Sequence, residues 1–126
     1  MAAGEVKPAM VAATKAAHEE KAVDAATAKP YALFMRYTWD PEKDAVNRRK
    51  HGLSLEEGVP ALEDVDRDSW IDDRFDYGEE RIVTLGLSKE GILYVVSTDW
   101  GENWTRIISV RGAENDEIEQ YDMGRA

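Results

Sequence analysis

Residues 81–110 read RIVTLGLSKEGILYVVSTDWGENWTRIISV, and the punctuation of this stretch decides the fold. Three runs rich in Val, Ile, Leu, Thr and Trp (81–87, 92–99 and 104–110) are separated by Lys89–Gly91 and Gly101–Asn103. Such runs, divided by short Gly-containing breaks, predict strands joined as hairpins. In the last run, side chains alternating across a regular strand set Arg106 on one face with Trp104, Ile108 and Val110. Arg111 then points the other way, with Thr105, Ile107 and Ser109.

Upstream, Ser69–Ile71 predicts a further short strand inside an acidic stretch. Tyr31, Leu33, Met35 and Tyr37 alternate with Ala32, Phe34 and Arg36, which predicts the first strand. Asp40-Pro41 is a helix start, an acceptor side chain followed by the residue suited to the first helical position. That helix should run to about Lys50 and stop at Gly52. Ser54 and Glu57 form a capping box for a second helix, which Gly58 and Pro60 should shorten or partly unwind. Downstream, Glu114 to Tyr121 predicts a short terminal helix. The order β-α-α-β-β-β-β-α, with consecutive strands hairpin-linked, predicts an α+β domain over residues 31–126.

The chain has 126 residues, no cysteine and a formal charge of −10. That length fits one folded domain. Lack of cysteine excludes disulfides, zinc–thiolate sites and thiol nucleophiles, and is compatible with the cytoplasm. No run of about 20 apolar residues is present to span a membrane. Residues 1–30 hold 11 of the 16 alanines and no aromatic residue. They read as a mobile or partly helical extension (helix over roughly 9–27), or as a helix that docks on this domain or a partner. Charged residues interrupt any signal-peptide core there. The whole −10 falls on residues 31–126, and nine of its acids crowd into residues 63–80. Outside that stretch the domain has ten bases and thirteen acids, so a local basic site is compatible with the net charge.

Three groups of residues carry possible chemistry. Asn47-Arg48-Arg49-Lys50-His51-Gly52 places three cations and an imidazole at the negative end of a helix dipole. They either cap that helix or form a phosphate grip with a proton-transfer group. Arg81, Arg106 and Arg111 lie in or at the ends of strands, where an arginine needs a carboxylate, a phosphate or water for its head. Structural partners are near in sequence: Glu79, Glu80, Asp99 and Glu102. Asp64, Asp66 and Asp68 have the opening spacing of a calcium loop, but Ser69 and Phe75 occupy the glycine and glutamate positions such a loop needs. A solvated acidic loop, or a surface for a basic partner, accounts better for them. No phosphate-cradling glycine loop, nucleophile elbow or zinc helix is present. The four tryptophans read as core or half-exposed packing rather than as a base-stacking platform, although Trp100 and Trp104 flank a turn, which would leave one of them open to a partner.

These pieces, in this order, resemble the BrnT family of type II toxin–antitoxin toxins. The resemblance rests on Tyr37-Thr38-Trp39-Asp40-Pro41, then Asn47, Lys50-His51-Gly52-Leu53-Ser54 and Glu57. It continues with Gly78-Glu79-Glu80-Arg81, Gly86, Leu93-Tyr94-Val95-Val96, Arg106-Ile107-Ile108-Ser109-Val110-Arg111, Glu117 and Tyr121, and covers roughly residues 34–122. It implies a small RelE-like antiparallel sheet with two N-terminal helices and a short C-terminal helix. It implies a cytoplasmic bacterial endoribonuclease that needs no metal or other cofactor and inhibits translation. It also implies a BrnA-like ribbon-helix-helix antitoxin, with operator DNA contacted only through the antitoxin complex, and no membrane partner. Carried over, the candidate catalytic residues are His51, Lys50, Arg81, Arg106 and Arg111, with Tyr121 a further candidate. His51 would transfer the proton, and the lysine and arginines would hold the phosphate.

Besides Gly58 and Pro60 in the second helix and the added residues 1–30, two departures from the family pattern each remove a positive charge. Ser97-Thr98-Asp99-Trp100 stands where a Tyr-Thr pair followed by an arginine is usual, and Gly112 stands where a lysine usually follows Arg111. These departures leave a second reading open, a non-catalytic protein-binding module on the same fold.

Overall fold

The local signals around the first helix act as their chemistry requires in the computed structural model, which describes residues 35–74 and 78–125. Strand β1 (Arg36–Thr38) leads into Asp40, whose carboxylate accepts the Glu42 N–H at 2.8 Å and starts helix α1 (Pro41–His51). The helix ends at Gly52, which takes φ +73 while its N–H bonds the Arg48 carbonyl. Ser54 and Glu57 form the reciprocal capping box. The second helix is divided: a 3-10 turn (Leu55–Gly58) is followed by the one-turn helix α2 (Val59–Leu62). Pro60 stands in the first turn of α2, where its missing N–H costs nothing. The expected extension helix, and the start of the first predicted strand, lie outside the described residues.

The remaining elements are β2 (Asp68–Asp72), β3 (Arg81–Ser88), β4 (Gly91–Gly101), β5 (Trp104–Gly112) and α3 (Asn115–Arg125). Strands β2 to β5 form an antiparallel meander, and the sheet order is β1-β5-β4-β3-β2. The sheet is mixed rather than wholly antiparallel, because β1 pairs with β5 in parallel, Tyr37 opposite Thr105. Parallel neighbours need a long crossover. Here everything between β1 and β5 supplies it, a connection that hairpin spacing does not reveal.

One face of the sheet packs beneath α2 and the 3-10 turn, around Tyr37, Leu55, Val59, Leu93, Val95, Ile107 and Val110. Gly86 makes this approach possible: a Cβ there would stand 2.1 Å from the Ala61 carbonyl oxygen. On the opposite face Val83 and Leu85 are buried, as is Tyr121 of α3, which packs against β3. Helix α1 covers neither face. Its one buried residue is Asn47, whose amide donates to the Leu53 and Val110 carbonyls and accepts the Val110 N–H. Val110 pairs with Val95 of β4 on its other side, so Asn47 occupies the edge of β5 beyond the point where β1 stops.

A β-bulge corrects the expected facing of the arginines. Val96 pairs with Ser109 but Ser97 pairs with Ile107, which leaves Ile108 as an extra residue. Ile107 and Val110 therefore both enter the helix-side core although they are three residues apart. Arg106 and Arg111, predicted on opposite faces, share the face turned away from α2.

Candidate functional site

Helix α3 covers only one end of that outward face. It is fastened there by Gln120, which donates to Asp68 at 2.8 Å, and by the Tyr121 hydroxyl, which donates to Asp64. Asp64 also accepts the Leu87 N–H at 2.8 Å, so its carboxylate joins the loop before β2 to both β3 and α3. At the other end the strand registers lay out a row across the sheet. Asp72 faces Arg81, Thr98 faces Arg106, and Arg106 faces Thr38. The Ile82–Ser97 pair places Arg81 beside Thr98. Arg81 and Arg106 thus flank β4 on one face, their strands roughly 10 Å apart.

Charged side chains of both signs surround this row, with the cations in excess toward β1 and β5. Asp72, buried opposite Arg81, is held by Arg74 through two bonds of 2.8 and 3.0 Å. Arg81 lies 3.5 Å from the exposed Glu79. The Thr98 hydroxyl donates to the Glu80 carbonyl at 2.6 Å and so ties the entry of β3 to β4. Arg106 carries no ion pair among the described contacts; its guanidinium lies 4.5 Å from the centre of the Trp100 ring. Next to it, Arg36 lies 5.9 Å from the Trp104 ring. Two stacked arginines and Arg81 form a cationic, aromatic half-face, and planar guanidinium groups can hold a phosphate through paired donors.

Arg111 stands at the covered end and is already engaged. It makes two 2.9 Å bonds to Glu117, donates to the Gly112 carbonyl and lies 3.8 Å over the Tyr94 ring. The bonded Glu117 raises Arg111 above its ordinary value, against the effect of burial. The Arg111 hydrogen bond in turn holds Glu117 below the usual carboxylate range, helped by the Glu114 N–H. The structural partner expected for a strand arginine is real here, but it is Glu117 rather than Glu79, Glu80, Asp99 or Glu102.

Lys50 and His51 are exposed in the last turn of α1. Asn47 fixes α1 beside Val110, and the helix follows the direction of β5, so His51 lies a further turn toward the Gly112 end. Arg106 is four residues the other way, about 13 Å back along the strand. The structure therefore places Arg81 and Arg106 together, Arg111 at the far end of the same face, and Lys50 with His51 beside the edge of β5. Tyr121 is buried at 2 % exposure, with its hydroxyl on Asp64.

Sequence reading passed over Arg36 and Asn47. Arg36 was legible through its alternation with Tyr37. Asn47 was not, because α1 has no apolar stripe to mark an inward side. The helix-side face also holds a cleft of about 400 Å³, lined by Tyr37, Leu62, Arg67, Thr84 and Asp99. It faces away from the arginine row. Among the described residues no group of three or more His, Asp or Glu could hold a metal ion, and no helix is long and apolar enough to cross a membrane.

Residues 39–117 match the family model for the ribonuclease toxin BrnT of type II toxin–antitoxin systems. Among solved structures the chain is similar to the Brucella abortus ribonuclease toxin BrnT, at 23 % identity and a TM-score of 0.42. That match covers 61 % of this chain and 94 % of the other. No curated protein matches the chain.

Proposed function

The chain belongs to the BrnT family of ribonuclease toxins of type II toxin–antitoxin systems, and from this premise we propose that it is an endoribonuclease that cuts RNA without a metal ion and so inhibits translation. The observation that carries the reading is the placement of Arg81 and Arg106, both partly exposed, on one face of the sheet and flanking Thr98. Between them a phosphate meets two guanidinium groups. In the reaction the 2′-hydroxyl oxygen attacks the adjacent phosphorus, and the bond to the 5′ oxygen breaks. The products are a cyclic 2′,3′-phosphate and a 5′-hydroxyl. The arginines stabilise charge on the crowded phosphorane, and a proton passes from the attacking hydroxyl to the leaving oxygen. His51 is the proposed proton carrier and Lys50 a further phosphate contact, while Arg111 supports the sheet face through Glu117. On this reading the protein works on a RelE-like fold in the bacterial cytoplasm. A BrnA-like ribbon-helix-helix antitoxin neutralises it, and operator DNA is met only in that complex.

One observation favours the second reading, a non-catalytic binding module: His51 lies toward the opposite end of β5 from the Arg81–Arg106 row. A cleavage assay separates the two. Purified protein should cut single-stranded RNA equally with and without EDTA and leave 5′-hydroxyl ends. Arg81→Ala or Arg106→Ala should slow cleavage by about 100-fold or more at an unchanged urea midpoint. His51→Ala should slow it by about 100-fold or more if His51 carries the proton. A folded protein that leaves RNA intact while forming a stable complex with its antitoxin would establish the binding module instead.

A further inference from the structure

The two tryptophans at the β4–β5 hairpin are placed differently from the other two in the chain. Trp39 is buried in the core, and Trp70 packs edge-on to Tyr94 with ring centres 6.4 Å apart. Trp100 is 43 % exposed. It is the extra residue of a second bulge, because Asp99 pairs with Thr105 and Gly101 pairs with Trp104, leaving nothing opposite it. A bulge re-aims the side chain it frees, and this one brings the indole to Arg106, 4.5 Å from the ring centre. Trp104 and Arg36 repeat the pairing on the neighbouring strands at 5.9 Å. The cost of leaving a large indole at a hairpin tip is offset only in part by one cation–π contact.

We propose that Trp100, with Trp104 beside it, is a stacking platform for an unpaired RNA base next to the phosphate held by Arg106. The ligand class is single-stranded RNA. In a duplex the bases stack on one another and their faces are closed to a side chain, whereas an unpaired base presents its face to any aromatic ring. The cation–π contact has a second effect. It holds the Arg106 guanidinium extended over the indole, so a backbone phosphate meets it already oriented while the base lies on the aromatic surface. Stacking accepts any base, so the platform selects for strandedness before sequence. This inference takes its ligand from the ribonuclease reading above.

The test uses the full chain and dye-labelled hexanucleotides with 2′-O-methyl riboses, which cannot be cut, so binding is read by anisotropy independently of cleavage. Three probes are compared: the single strand, the same backbone with its central bases removed, and the duplex. The wild-type protein should bind the base-bearing strand about 5- to 100-fold more tightly than the abasic one, with the duplex weaker than the strand. Trp100→Ala should abolish the preference for bases while weakening abasic binding far less, and Trp100→Phe should restore part of the preference. Equal loss on both strands would mean that Trp100 acts only by propping Arg106, and would overturn the proposal. So would unchanged binding by Trp100→Ala, or a variant that loses only its antitoxin. Binding with these preferences by a protein that never cleaves RNA would keep the platform and remove the nuclease. Cleavage with no dependence on Trp100 would do the reverse.

Discussion

Asn47 shows how much a single side chain can carry where a strand edge meets a helix. Its amide satisfies both backbone groups of Val110, at 2.7 and 3.1 Å, and the Leu53 carbonyl at 2.9 Å. A residue with 4 % exposure thus does the work of a neighbouring strand. Asn47→Ala leaves a buried N–H and a buried C=O without partners and should cost about 2–4 kcal/mol, read as a lower urea midpoint with an unchanged slope. Asn47→Asp should recover little, because the carboxylate would face two carbonyl oxygens in place of a donor. The sequence displays Asn47 only as a polar residue in a polar helix. Its burial depends on β1 being three residues long, which leaves the edge of β5 open just where the helix passes.

At the scale of elements, strands and caps were the most legible. Asp40-Pro41, Gly52 and the Ser54–Glu57 box each act within one turn of chain, and each has the partner its chemistry calls for. The parallel pairing of β1 and the bulge at Ile108 were hidden, since both depend on which strands meet and not on any local residue. The joint between β5 and α3 was half legible: Arg111 invited an acidic partner, and the fold chose Glu117. That joint has a pH signature. Glu117 is held below its unfolded value, so its contribution is complete above the ordinary glutamate range and is lost as pH falls through the lowered value. Stability should therefore fall on acidification from about pH 4.5 downward. Glu117→Gln should flatten that part of a denaturation-midpoint profile and leave Arg111 with a weaker partner at neutral pH.

Across the whole molecule, charge is sorted rather than balanced. Nine acids lie within residues 63–80, and the carboxylates of Asp64, Asp68 and Asp72 are spent on internal hydrogen bonds. Arg36, Arg81 and Arg106 gather at the open end of one sheet face. A net −10 is thus compatible with anion binding, but through few contacts. With about three phosphates engaged, binding of a single strand should weaken with salt at a log–log slope of roughly −2. A titration of the uncuttable strand across 50–300 mM potassium chloride checks this. A slope several times steeper would mean that cations outside the proposed site, Arg48 and Arg49 among them, join the grip.

The extra residue in β5 sets the phase of everything before it. Along an ordinary strand inside and outside alternate without exception, so parity is conserved from one end to the other. Ile108 breaks that count once, and Arg106 joins Arg81 on the outward face because of the break. Whether Arg106 shares a face with Arg81 is therefore written in the number of residues between Val110 and Arg106, not in their identities. A strand one residue shorter at that point, with Val110 kept in the core, would turn Arg106 toward that core and away from Arg81.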